Sequence, residues 1–157
     1  MELIQQIAAR LAEEKRTLGV TELVVFESSN GFILASTVEG RAVDLESLGS
    51  LTSGALTALG MLSDLFTTGK VTALITETTE GSLLFHQVED HYFLLAAAPK
   101  GRRVGYLQAR LERVATALGP LVAQFIAASD VKIGDLDIEE IQVALDAQFD
   151  DLFKEGK

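Results

Sequence analysis

Apolar residues recur along this chain in two rhythms, one near 3.6 and one near 2, and the switches between them divide it into elements. Leu3, Ile7 and Leu11, with Ile4, Ala8 and Leu18, keep the helical period. They predict a helix over Glu2–Thr17, ending near Gly19. Glu22–Glu27 and Phe32–Ser36 read as short strands on either side of Asn30–Gly31. Both residues of that pair tolerate positive φ, which predicts a tight hairpin turn. After a loop with Gly40, Asp44 is placed to cap a long helix reaching about Thr68. Within it Leu48, Leu51, Ala55, Leu59, Leu62 and Phe66 recur at intervals of three and four, and are expected to be its buried stripe.

Gly69–Lys70 ends that helix, and Val71–Thr78, rich in Val, Thr and Ile, reads as a strand. Glu80–Gly81 is a turn, and Ser82–Val88 and Tyr92–Ala97 are two further strands joined at Glu89–Asp90. A basic loop, Pro99–Arg103, leads into a helix from Val104 through Leu107, Leu111, Val114, Ala115, Leu118 and Val122. Gly119–Pro120 is expected to kink or break it. Ser129–Gly134 reads as a linker. Beyond it Asp137 and Glu140 fit a capping box. Ile138, Ile141, Leu145, Phe149 and Leu152 then form one stripe, widened by Phe153. The order helix, two strands, helix, three strands, helix implies a small mixed α/β (α+β) domain over residues 1–128. Residues 129–157 form a linker and an acidic amphipathic helix.

Composition narrows the function. The 157 residues are 48% hydrophobic, enough for one core. The net charge of −10 argues against nucleic acid and anionic membranes as partners, because both need clustered Lys and Arg. More than half of that charge lies in the tail: nine acidic and three basic residues from Asp130 to Lys157 leave −6. With no cysteine there is no disulfide, thiolate metal site or cysteine nucleophile. The N-terminus lacks the apolar core of a signal peptide, and no apolar run reaches membrane-spanning length. The expected location is cytoplasmic.

Few constellations offer chemistry. His86 and His91 bracket a hairpin with Glu89 and Asp90. A metal site would need both imidazoles and a carboxylate to converge, and a solvated turn is the simpler reading; no metal or cofactor is expected. Lys100, Arg102 and Arg103 precede a helix, where a phosphate site or an arginine finger could form, against the alternative of a solvated loop. No P-loop, GxSxG or HExxH motif is present, and nothing supports nucleophilic catalysis.

The long helix has a second face, lined by Ser50, Ser53, Gly54, Thr57, Gly60 and Met61. Its three glycines (Gly49, Gly54, Gly60) cost about 1 kcal/mol each relative to Ala. Such a cost points to another backbone in close approach. That face is read as intermolecular, with packing on the protein's own sheet as the alternative. The strand Val71–Thr78 lacks Lys, Arg and Pro, so at a sheet edge Val71, Ala73 and Ile75 would leave it open to pairing with a second copy. The tail helix, marginal alone, is expected to be helical when a partner supplies a groove.

With these elements in order, the chain resembles the Roadblock / dynein light chain family, and within it the bacterial MglB-type members. The resemblance rests on NGFILAS (Asn30–Ser36), LGSLTSGALTALGML (Leu48–Leu62), YFLLAAAP (Tyr92–Pro99) and VGYLQARLERVATAL (Val104–Leu118). DDLFKEGK (Asp150–Lys157) resembles the helical extension of MglB proteins. It implies a sandwich with a five-stranded antiparallel sheet, and a homodimer in which two long helices pack antiparallel and edge strands join. It also implies a partner, a small Ras-like GTPase of the MglA type. The helix face with Ser50, Ser53, Gly54, Thr57 and Met61 would clasp that partner and stimulate hydrolysis by positioning the GTPase's own residues. The helix with Ile138, Ile141, Leu145, Phe149, Leu152 and Phe153 would touch a different surface, with help in nucleotide exchange as one option. Alternatives are a dimeric scaffold that binds without accelerating hydrolysis, and a small-molecule sensor. An enzyme with its own catalytic site is the least supported.

Overall fold

The strand sequences pair into one antiparallel sheet whose central strands carry consecutive apolar residues, so that successive side chains are buried on both faces. The computed structural model describes residues 2–40, 43–134 and 146–147. Its elements are α1 (Glu2–Leu18), β1 (Glu22–Glu27), β2 (Ile33–Ser36), α2 (Leu45–Leu65), β3 (Ala73–Thr78), β4 (Gly81–Glu89), β5 (Tyr92–Pro99) and α3 (Val104–Gly134). The sheet order is β2-β1-β5-β4-β3, so β2 and β3 are its edges. The contacts divide the chain into two units, Met1–Ala123 and Gln124–Lys157.

In the first unit the sheet has two buried sides. One holds Val24, Phe26, Phe85, Phe93 and Leu95, which pack with Leu56 of α2. The Phe26 ring meets Phe85 edge-on at 6.1 Å and stacks near Phe93 at 6.2 Å. Register explains the grouping: Val24 lies opposite Leu95, Phe26 opposite Phe93 and Phe85 opposite Leu95, and cross-strand partners share a face. The alternate residues Leu23, Val25, Leu84, Leu94 and Ala96 are equally buried. They point to the other side, where α1 (Ile7, Leu11) meets β1 and β2, and α3 buries Leu107, Leu111, Val114, Leu118 and Val122. By length and composition alone, Val104–Asp130 could cross a membrane. Its buried residues up to Val122 instead make it a core helix of the first unit.

Three details depart from the sequence expectations. The β1–β2 connection is longer than a two-residue turn. Gly31 donates to the Glu27 carbonyl at 3.0 Å, and Glu27 N–H donates to Phe32. Only Gly31, and not Asn30, has positive φ. A register shift between Val25 and Phe26 absorbs the extra residue. Pro120 neither breaks α3 nor ends it: the helix runs to Gly134, through the stretch expected as a linker. A proline removes one N–H and leaves the other bonds of a long helix in place. Strand β3 starts at Ala73, so Val71 precedes it. In the second unit, the described helical residues include Ser129, whose hydroxyl donates to the Phe125 carbonyl at 3.0 Å.

Candidate functional site

Helix α2 is set by its start and by three contacts on its inner side. Asp44 caps it: one carboxylate oxygen accepts from Glu46 N–H at 3.2 Å and the other from the Ser47 hydroxyl at 2.7 Å. These bonds hold the Asp44 carboxyl below its usual range. Five residues on, Gly49 lies directly against Gly31. A Cβ on Gly49 would overlap the Gly31 carbonyl oxygen, and one on Gly31 would overlap the carbonyl of Gly49. The Ser53 hydroxyl then donates to the Ser28 carbonyl at 2.7 Å. Leu56 enters the phenylalanine cluster.

The loop that receives the helix is itself tied down. The Glu27 carboxylate accepts from the Ser29 hydroxyl and from Asn30 N–H. Asn30 Oδ1 accepts from Phe32 N–H at 2.8 Å. Ser28 N–H donates to His91 O at 2.7 Å, which joins the loop to the β4–β5 hairpin. Burial pushes the Glu27 carboxyl up, but the bonds from Ser29 and Asn30, with His91 nearby, outweigh it and hold it below the ordinary value.

This packing reverses the faces expected from the Leu stripe. The buried residues of α2 are Gly49, Thr52 and Leu56, and Leu48 and Leu59 are half-buried. Leu51, Ala55, Leu62 and Phe66, expected inside, are exposed. The cause is the Gly31–Gly49 approach: a helix that close to backbone must present small residues to it, which turns the larger side chains outward. The result is a row of large apolar groups in solvent: Leu51 is 72% exposed, Met61 66%, Leu65 80% and Phe66 71%. Periodicity cannot choose between the stripes, because Gly49, Thr52 and Leu56 keep the helical period as well as the leucines do. The pair Gly31 and Gly49 was the available signal, two glycines that a close backbone contact would require.

The residues proposed from sequence for the partner face divide accordingly. Ser50, Gly54, Thr57 and Met61 are exposed, and a Cβ on Gly54 would meet nothing within 4 Å. Ser53 is half-buried and engaged with Ser28. Gly49 uses its missing side chain inside the molecule; Gly60 has open space above it. Ala73 and Ile75 lie on the edge strand β3, half-buried, and Val71 lies just before it. A groove of about 330 Å³ separates β3 from the end of α2, lined by Leu59, Leu62, Phe66, Val71, Ala73 and Leu74. Ile138, Ile141, Leu145, Phe149, Leu152 and Phe153 lie outside the described residues.

Other candidates are dispersed. His91 Nε2 is 3.8 Å from Asp90 Oδ1, and both side chains are exposed. His86 Nδ1 contacts the Gln87 carbonyl at 2.9 Å. Among the described residues no group of three or more His, Cys, Asp or Glu could hold a metal ion. In the basic loop, Arg102 Nη2 donates to the Gly19 carbonyl at 3.1 Å, capping the end of α1. An open cleft of about 420 Å³ runs beside α2, edged by Ser28, Ser29, Asp64, Lys70 and His91 over Phe93.

The Roadblock/LC7 domain model matches residues 8–98, more than half of the chain. The protein belongs to the Roadblock/LC7 domain family. Solved structures share this Roadblock fold. Myxococcus xanthus MglB aligns at 20% identity over 79% of this chain and 92% of its own, with TM-score 0.72. Gliding protein mglB from Thermus thermophilus aligns at 18% identity over 79% and 93%, with TM-score 0.69. A Roadblock/LC7 domain from Streptomyces avermitilis aligns at 15% identity over 66% and 86%, with TM-score 0.59. No curated protein sequence matches the chain. At these identities the neighbours speak for the Roadblock architecture, and function has to be argued from the surface.

Proposed function

We propose that this Roadblock protein is a homodimeric regulator of a small Ras-like GTPase of the MglA type. The observation that carries the reading is the outward face of α2, where Leu51, Met61, Leu65 and Phe66 stand in solvent beside the open edge of β3. Burying one such side chain stabilises an interface by about 1.5–3 kcal/mol before ordering costs. A contiguous apolar face of this kind marks a protein interface. A second copy would cover Leu51, Leu65, Phe66 and the β3 edge, pairing through Ala73 and Ile75 beside Val71. The side of the helix with Ser50, Gly54, Thr57 and Met61 would then face the GTPase, with Ser53 supporting it from below. One solved neighbour is titled "MglB with tetrameric arrangement", so assembly beyond the dimer is a further option for this chain.

The composition of α2 says how such a regulator would work. Between Leu45 and Leu65 there is no Arg, Lys, Asn or Gln. The helix cannot insert a cation or amide at the transferred phosphate, so activation would come from positioning the GTPase's own residues. The same fact favours, as second reading, a scaffold that binds the GTPase without accelerating it. The segment with Ile138, Ile141, Leu145, Phe149, Leu152 and Phe153 is assigned to a separate contact on the GTPase, with an effect on nucleotide exchange.

The test is the GTP turnover of an MglA-type GTPase with and without this protein at saturating concentration. A rise in rate supports the activator. An unchanged rate with a stable complex establishes the scaffold, and no complex at all removes both.

A further inference from the structure

The opposite side of the molecule carries a surface that the GTPase reading does not use. From Lys100 to Gly119 the chain has five basic residues and one acidic one, a local net of +4 in a protein of net −10. Arg103, just before α3, and Tyr106, Arg110 and Arg113 on it recur at intervals of three, four and three, which aligns them along one side of the helix. The stripe is about 15 Å long at 1.5 Å per residue. Lys100 precedes it in the loop.

The side chains are free to engage a partner. Lys100, Arg103, Tyr106 and Arg113 are exposed, and Arg110 is half-buried with its guanidinium 5.8 Å from the centre of the Tyr106 ring. None of the four cations forms an ion pair among the described residues. Arg102, by contrast, is engaged with the Gly19 carbonyl. The one acidic residue of the segment, Glu112, points about 100° round the helix from Arg113. Such a run of unpaired cations repels itself, so it weakens rather than supports the isolated fold. α3 already buries Leu107, Leu111, Val114 and Leu118 on its inner side, and packing does not require arginines outside.

We infer that the stripe Arg103, Tyr106, Arg110 and Arg113, with Lys100, is a docking surface for an acidic segment of a partner protein. Carboxylates spaced at three and four residues on a partner helix would meet the guanidinium groups, each of whose planar forks can donate two parallel N–H bonds to one carboxylate. Tyr106 and Arg110 offer a flat stacked surface between them. The occupant is a short segment rather than a membrane or a nucleic acid because the remainder of the chain carries a net of −14. An extended polyanion would run beyond the patch into that field, whereas charges are screened within about 8 Å at physiological salt. The surface lies across the sheet from α2, so one molecule could hold partners on both sides.

The test uses the full chain and a fluorescent peptide with glutamates at three- and four-residue spacing, read by anisotropy. A glutamine counterpart, vesicles of phosphatidylcholine and phosphatidylserine, and a duplex DNA serve as the other probes. The glutamate peptide is expected to bind, with affinity falling several-fold as salt is raised. Affinity should fall about tenfold or more in Arg103→Glu/Arg113→Glu. Should that variant not fold, as judged by circular dichroism, Arg103→Ala/Arg113→Ala is expected to weaken binding at least threefold. No binding of the glutamate peptide, equal binding of the glutamine peptide, or an unchanged affinity in the variants would overturn the inference. Stronger retention on vesicles or DNA than on the peptide would overturn it as well.

Discussion

Gly49→Ala separates the two orientations of α2 by their effect on stability. In an ordinary helix interior the substitution is favourable by about 1 kcal/mol, since Ala loses less backbone freedom than Gly. Gly49 is not in an ordinary position. Its missing Cβ would overlap the carbonyl oxygen of Gly31, which is backbone and cannot rotate away. Gly31 is held at φ +76, and Gly31 N–H is bonded to Glu27, so the loop has little room to yield. Overpacking of this kind costs about 1–3 kcal/mol. A helix that lifts to relieve the clash also loses the Ser53–Ser28 bond, worth about 1 kcal/mol. Against the propensity gain, the net expectation is a loss of about 1–3 kcal/mol. Gly54→Ala supplies the control: a Cβ there meets nothing within 4 Å. It should stabilise the isolated chain by about 0.5–1 kcal/mol. Urea unfolding at one fixed protein concentration, followed by circular dichroism, reads both variants, since self-association shifts apparent stability. If Gly49→Ala is as stable as the parent, or moves with Gly54→Ala, then the Gly31–Gly49 contact is wrong and so is the assignment of the outward face.

Three further outcomes follow from the same geometry. Leu65→Asp places a charge on the most exposed apolar side chain of α2; it should shift sedimentation from dimer to monomer with the circular dichroism spectrum unchanged, and an unaltered dimer would move the interface elsewhere. Ser53→Ala removes the hydroxyl that satisfies the Ser28 carbonyl and should cost about 1 kcal/mol in urea unfolding; no loss would mean that solvent satisfies that carbonyl equally well. The Glu27 carboxyl is held below its ordinary value in the fold. A depressed folded value contributes stability that is present above the unfolded value, near 4.5, and is lost as pH falls through the folded one. Glu27→Gln should therefore flatten the fall of stability with pH below about 4.5, and an identical acid limb in both proteins would show that Glu27 is not depressed.

Much of the architecture was legible in the sequence, for reasons that can be named. The bounds of β1 are readable because ELVVFE sends successive side chains to two apolar sides and is bounded by turn residues. Asp44 was found as a cap because its carboxylate is the one group before Leu45 able to accept from the first free N–H groups of α2. The architecture and the family were also readable, since the order of elements and segments such as NGFILAS carry them. The face of α2 was not. Leu48, Leu51, Ala55, Leu59, Leu62 and Phe66 satisfy the helical period as well as Gly49, Thr52 and Leu56 do. The choice between them depends on Gly31, a residue of a different element whose approach leaves no trace in local spacing. The β1–β2 loop escaped for a similar reason: its length is set by the Glu27 carboxylate, which gathers Ser29 and Asn30, rather than by the Asn-Gly pair. Pro120 does not break α3, because a helix that long keeps its course with one bond missing.

The most direct test of the regulator reading compares parent and Gly54→Arg in GTP turnover by an MglA-type GTPase. Gly54 faces open solvent, so an arginine there leaves the fold intact while it fills the small-residue surface assigned to the GTPase. The parent should accelerate hydrolysis and the variant should not, with no complex formed by the variant at concentrations where the parent saturates. Equal acceleration by the two proteins would contradict the claim that this face of α2 is where the GTPase binds.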